Sequence, residues 1–270
     1  MVEIQKKYQM AQRKFGLINW VGAYSLYIKE VNRFLIVWAQ TLLSPLVSSL
    51  LFLSVLTLAL GDNRGDVLGF PFINFLAPGL IAMSIIQQGF SHTVSSIMIA
   101  KIQGNIIDTL MAPLSALEVT LTIILAAVTR SLIILIISVV VFSFIVEIQI
   151  YNVIYIFLGA FLGSFILGAL GFITGQYALK FDHTATVTNF IITPLSFLSG
   201  VFYSIDRLPI FFQMISKINP FFYIIDIMRF GFLGASDGSV NFGLMYLTVL
   251  AFLLWFLCYY LYKIGWKLKS

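Results

Sequence analysis

Phe34-Leu-Ile-Val-Trp-Ala-Gln-Thr-Leu-Leu-Ser-Pro-Leu-Val-Ser-Ser-Leu-Leu-Phe-Leu-Ser-Val-Leu-Thr-Leu-Ala-Leu-Gly61 carries no charged side chain. A helix needs about 20 apolar residues to cross the hydrocarbon core of a bilayer, which is ~30 Å thick. This stretch exceeds that length, so it predicts a tilted span or one whose ends enter the interface. Further along the chain the gaps between charges repeat the pattern. They predict spans at about 70–100, 117–146, 152–179, 184–204 and 240–262, besides the first at 34–61. The expected fold is all-α: a polytopic membrane protein with six transmembrane helices in one domain, 34–262, between a cytoplasmic N-terminus, 1–33, and a cytoplasmic tail, 263–270.

The composition agrees. Sixty per cent of residues are hydrophobic and 10% are charged, where a soluble domain has about 25% charged residues. The net charge of +5 could point to nucleic acid, but the cations sit at the ends of apolar runs and form no patch. No nucleic-acid partner is expected, and membrane lipids are. The single cysteine, Cys258, excludes an internal disulfide framework and a cysteine-based metal site. No cleavable signal peptide is expected, since the first apolar run is too long for one.

Orientation follows from Lys and Arg in the short flanks. With the N-terminus inside, cytoplasmic segments hold Lys6, Lys7, Arg13, Lys14, Lys29, Arg33, Lys101, Lys180, Lys263, Lys267 and Lys269. The other side holds Arg64, Arg207, Lys217 and Arg229. Both termini are expected in the cytoplasm, with the chain crossing the membrane several times; the family resemblance given below implies the inner membrane of a bacterial cell.

Before the first span, Leu17, Trp20, Val21, Tyr24, Ile28 and Val31 recur at helical steps on one arc, with Asn19, Lys29, Glu30 and Arg33 opposite. This predicts an amphipathic helix lying in the cytoplasmic interface. Between spans two and three, the loop 101–117 holds a short amphipathic helix, 105–111, that ends before Pro113. Its apolar side joins no lipid-facing run and suits docking to a partner. Packing on the chain's own helices is the plainer alternative. Before the last span, the segment 206–234 is apolar but carries Asp206, Arg207, Lys217, Asp226 and Arg229, and is divided by Pro209 and Pro220. Asn219-Pro220 reads as an N-cap and first helical position. Two short re-entrant helices are predicted here.

Buried charge is sparse. Arg130 alone lies well inside a span, and two readings stay open: it snorkels to lipid phosphates, or it forms a structural or gating ion pair. His92 and His183 read as interfacial. No chain of buried Asp, Glu or His suited to a proton relay is expected, and no metal site. Gly163-Ser-Phe-Ile-Leu-Gly168 has the glycine spacing of a phosphate-binding loop, but Ala169-Leu170 follows in place of Lys-Ser/Thr, so it carries no nucleotide. Gly168, Gly171 and Gly175 share a face with Ser164, which predicts close helix packing.

Several motifs in order carry a family resemblance: Phe75-Leu-Ala-Pro-Gly-Leu80, Lys101–Pro113, Thr193-Pro-Leu-Ser-Phe-Leu-Ser-Gly-Val-Phe-Tyr203, Leu208-Pro209, Asn219-Pro220 and Arg229-Phe-Gly-Phe-Leu-Gly234. The chain resembles the permease subunits of ABC-2 type transporters, in the branch of small half-size bacterial exporters. The resemblance implies a non-enzymatic permease that pairs with a second copy of itself and with a separate ABC ATP-binding subunit, which would hold ATP and Mg; no cofactor is expected in this chain. It implies a coupling helix that uses Gln103, Asn105, Ile107, Asp108, Met111 and Pro113, an interfacial helix with Trp20, Tyr24 and Ile28 that meets the ATPase, and an extracytoplasmic exit shaped by the re-entrant pair with Pro209, Asn219, Pro220 and Arg229. An ion-coupled secondary transporter is the alternative. An intramembrane enzyme would need a cluster of His, Asp or Glu at one interface, which two isolated histidines do not supply.

Overall fold

In a computed structural model, residues 18–60 and 65–268 are described. Leu17 and the basic residues Lys6, Lys7, Arg13, Lys14, Arg64 and Lys269 lie outside them. Among the described residues eleven α-helices run in chain order: α1 Trp20–Ile36, α2 Ser44–Leu60, α3 Phe72–Ile102, α4 Ile106–Met111, α5 Ala116–Phe142, α6 Val153–Tyr177, α7 Phe181–Val187, α8 Thr193–Phe197, α9 Ile210–Ile218, α10 Pro220–Leu233 and α11 Val240–Lys263. A wide π-turn, Ala39–Leu43, leads into α2, and a second, Thr188–Ile192, joins α7 to α8. The described residues form no named strand.

Five helices are long and apolar enough to cross a membrane, Ala39–Ala59, α3, α5, α6 and α11, and six if the bent pair α9–α10 counts as one. The predicted fifth span is the shortest. Its helical run is 181–197, interrupted by the π-turn, and rises only about 25 Å. The predicted residues 198–204 are not helical; Gly200 at φ +75° turns the chain there. The first span also starts later than its charge-free stretch, because Phe34–Ile36 belong to α1.

The core is α3 packed along α6, because glycine brings their backbones together. A Cβ at Gly171 would stand 2.2 Å from the Thr93 hydroxyl and 2.5 Å from the Phe90 carbonyl, and one at Gly175 would stand 2.8 Å from Ile97. Gly159 and Gly163 open a second face of α6 to Met228 and Ile224 of α10. With lipid as apolar as leucine, such close contact is what holds membrane helices together. We therefore expect Gly171→Ala to cost about 1–3 kcal/mol, since backbone atoms must move. Gly168→Ala should be tolerated, because its nearest neighbour would stand at 3.4 Å. Thermal unfolding of the two variants in detergent makes the comparison.

Helices α9 and α10 meet at 86°. The Asn219 side chain caps α10 by accepting from Phe221 N–H (3.1 Å) and donates to the Leu195 carbonyl (3.0 Å) and the Ser199 hydroxyl (2.8 Å). Gly234 at φ +74° ends α10 in the left-handed conformation. The Asp226 carboxylate then accepts from the backbone N–H groups of Asp237 (2.7 Å) and Gly238 (3.1 Å), which holds the turn into α11.

Candidate docking surface and membrane cleft

Two of the predicted sites meet at one corner. Helix α5 starts with a reciprocal cap: Ser115 N–H donates to Glu118 (2.6 Å) and Glu118 N–H donates to the Ser115 hydroxyl (3.3 Å). The same carboxylate accepts from Asn19 N–H at 2.5 Å. Asn19 in turn caps α1 through Gly22 N–H (3.0 Å) and donates its amide to the Pro113 carbonyl (3.0 Å). Glu118 and Asn19 thus fasten the start of α1 to the corner between α4 and α5. Sequence reasoning missed this pair, although Ser115-x-x-Glu118 is a capping-box signature.

Around that corner the apolar side chains point outward. Trp20 is 73% exposed and Met111 81%, with Tyr24 and Ile107 also exposed and Ile28 half-buried. A groove of about 380 Å³ runs between α1 and α4, lined by Val21, Ser25, Lys29, Asp108, Thr109 and Pro113. Ile106 alone of the α4 side chains is buried, so the helix does not fold its apolar side onto the chain. Asn105 donates to Gln103 (3.1 Å) at the start of α4.

Helix α1 lies along the first half of α5, from Asn19 at Glu118 to Tyr27, whose phenol sits 2.7 Å from the Thr129 hydroxyl. Its buried residues are Leu26, Glu30 and Phe34, so a mixed face turns inward and the Trp20–Tyr24 arc faces out. Glu30 receives the Ser96 hydroxyl (2.8 Å) and Arg33 Nε (3.1 Å). Arg33 also donates to the Ser95 hydroxyl (3.1 Å) and the His92 carbonyl (3.0 Å). His92 is fully buried, with Nε2 3.6 Å from Glu30 and Phe34 packed edge-on against its ring. His92 is packed inside the bundle, and Glu30–His92 is a buried acid–imidazole contact that the sequence reading did not foresee. His183 stays exposed beside Leu179 N–H.

Arg130 follows neither of its two readings. It is 5% exposed, so its side chain does not extend out of the bundle to the bilayer surface, and it makes no ion pair among the described residues. Its guanidinium donates to Gln88 and to the Thr41 carbonyl (3.2 Å). That carbonyl precedes Pro45 by four residues, and proline has no N–H to offer it. Arg130 therefore fills a bond that α2 cannot make. It faces a cleft of about 730 Å³ between α2, α3 and the 181–197 helix, lined by Arg33, Gln40, Ser48, Gln87, Ser91, Thr193 and Phe197 among others.

The residues of the α9–α10 pair lie elsewhere, near the start of α3. Arg229 is buried over the Phe75 ring at 3.8 Å; it donates to the Gly200 carbonyl (2.7 Å) and pairs with Asp237 (3.5 Å). Pro209 caps α9 and Pro220 opens α10. Among the described residues no group of acidic, histidine or cysteine side chains could hold a metal ion.

The comparison with known proteins decides the family. Residues 22–233 match the model of the ABC-2 type transporter family. The chain belongs to that family. This ABC-2 permease is 34% identical to the inner membrane transport permease YadH of Escherichia coli K12, over 94% of this chain and 99% of that one. It is 26% identical to nodulation protein J of Rhizobium leguminosarum bv. trifolii, over 79% and 81%. The ABC-2 chain is a multi-pass membrane permease.

Proposed function

We propose that this chain is the membrane subunit of an ATP-driven exporter, in which two permease chains share one path and a separate ABC ATPase docks on the α1–α4 corner. Both termini then lie in the cytoplasm, and ATP and Mg belong to the partner. One observation carries the reading: Ile107 and Met111 are exposed on a short helix fastened to α1 through Glu118 and Asn19. A force on that corner reaches α3 and α5 through α1. The test is to co-express the chain with the ABC ATPase encoded beside it, purify on a tag on this chain, and assay ATP hydrolysis. We expect a retained, active ATPase; a permease recovered without one would overturn the proposal.

The Glu30–His92 pair favours a second reading, an ion-coupled secondary transporter, because carriers keep ionisable groups inside the bundle. Substrate movement in proteoliposomes driven by a proton gradient alone, without ATPase, would establish it.

A further inference from the structure

We propose that the cleft between α2, α3 and the 181–197 helix binds the phosphate headgroup of an anionic amphiphile, held by Arg130. The inference rests on the export reading, since it names the cargo class of the same path. Arg130 is a buried cation without a carboxylate partner among the described residues, and its Nε has no hydrogen-bond partner there either. A guanidinium so far from water is costly unless an anion or strong acceptors meet it. Two neutral acceptors, Thr41 and Gln88, leave donors over, and Arg33 adds a second cation to the same cleft. The one carboxylate nearby, Glu30, is already engaged by Arg33 and Ser96. With Arg130 and Arg33 against Glu30 alone, the cleft is net positive.

The rest of the lining suits a phosphate. Gln87, Ser48 and Ser91 offer amide and hydroxyl donors, and a phosphate oxygen cluster accepts several at once while the planar guanidinium grips two oxygens. The cleft then continues along α3 from Ile99 to Leu80, about 28 Å at 1.5 Å per residue. Its far part is apolar, with Phe52, Leu80, Met83 and Phe197. A polar end with two cations and a long apolar wall match a headgroup and its hydrocarbon chain.

The test uses the purified full chain in neutral phosphatidylcholine nanodiscs, without ATPase, and reads ligand binding by thermal shift and native mass spectrometry. Phosphatidic acid should bind and stabilise; additional phosphatidylcholine should not. Inorganic phosphate at the same concentration should bind far more weakly, and equal binding would replace the amphiphile with a free anion. Arg130→Gln should weaken phosphatidic acid binding about tenfold or more, Arg130→Lys should keep part of it, and Lys267→Gln should change nothing. Equal binding of anionic and neutral lipid by the unaltered chain would overturn the proposal without any variant, as would full binding by Arg130→Gln. Because no ATPase is present, loss of anion preference with intact ATPase retention sinks this inference alone, and the converse sinks the export reading alone.

Discussion

Arg229→Ala should leave little folded protein. The guanidinium is fully buried, donates to the Gly200 carbonyl, pairs with Asp237 and lies against the Phe75 ring. Asp237 also receives the Ser204 hydroxyl at 2.5 Å. Removing the cation strands a carboxylate in a nearly dry site and frees a carbonyl at a turn. Breaking such a buried pair costs about 3–5 kcal/mol. Arg229→Lys should rescue only in part, because an ammonium cannot fork to two acceptors and stack on a ring together. Monodispersity and melting temperature of a fluorescent fusion in detergent measure both. A melting temperature equal to that of the unaltered chain would show that the knot is dispensable.

The second large effect belongs to α4. Ile107→Asp or Met111→Asp should abolish ATPase retention while the permease still inserts and melts normally. Both side chains are exposed, so a carboxylate there meets solvent in the free chain and costs its fold little. Against an apolar pocket of a partner it would be desolvated without a counter-charge, which costs several kcal/mol. Pull-down yield and detergent melting, measured on the same preparations, separate docking from folding. Full retention in both variants would move the docking surface elsewhere.

The helical spans were legible because one physical rule sets them: a charge-free run long enough for the bilayer. The short helix α4 was legible too, since Asn105 and Pro113 bracket it. What the sequence did not show is which medium each face meets. The arc from Trp20 to Val31 reveals that α1 is two-faced, yet apolar side chains turn outward in lipid and inward in water. Glu30 and Arg33 went inside because Ser95, Ser96 and His92 wait there, and those lie some 60 residues away in sequence. Arg130 has the same lesson. Its partner, Thr41, is 89 residues distant, but Pro45 marks the orphaned carbonyl in plain sight.

That proline has a counterpart across the cleft. The Ala39–Leu43 π-turn abuts Pro45 on one wall, and the Thr188–Ile192 π-turn abuts Pro194 on the other. Each wall therefore loses backbone bonds in a single turn, where helices kink most readily. The two soft joints lie on facing walls of the cleft, so bending at either would change its width. Arg130, bonded to the joint on one side, braces that wall: without its guanidinium the Thr41 carbonyl loses the donor that Pro45 cannot replace.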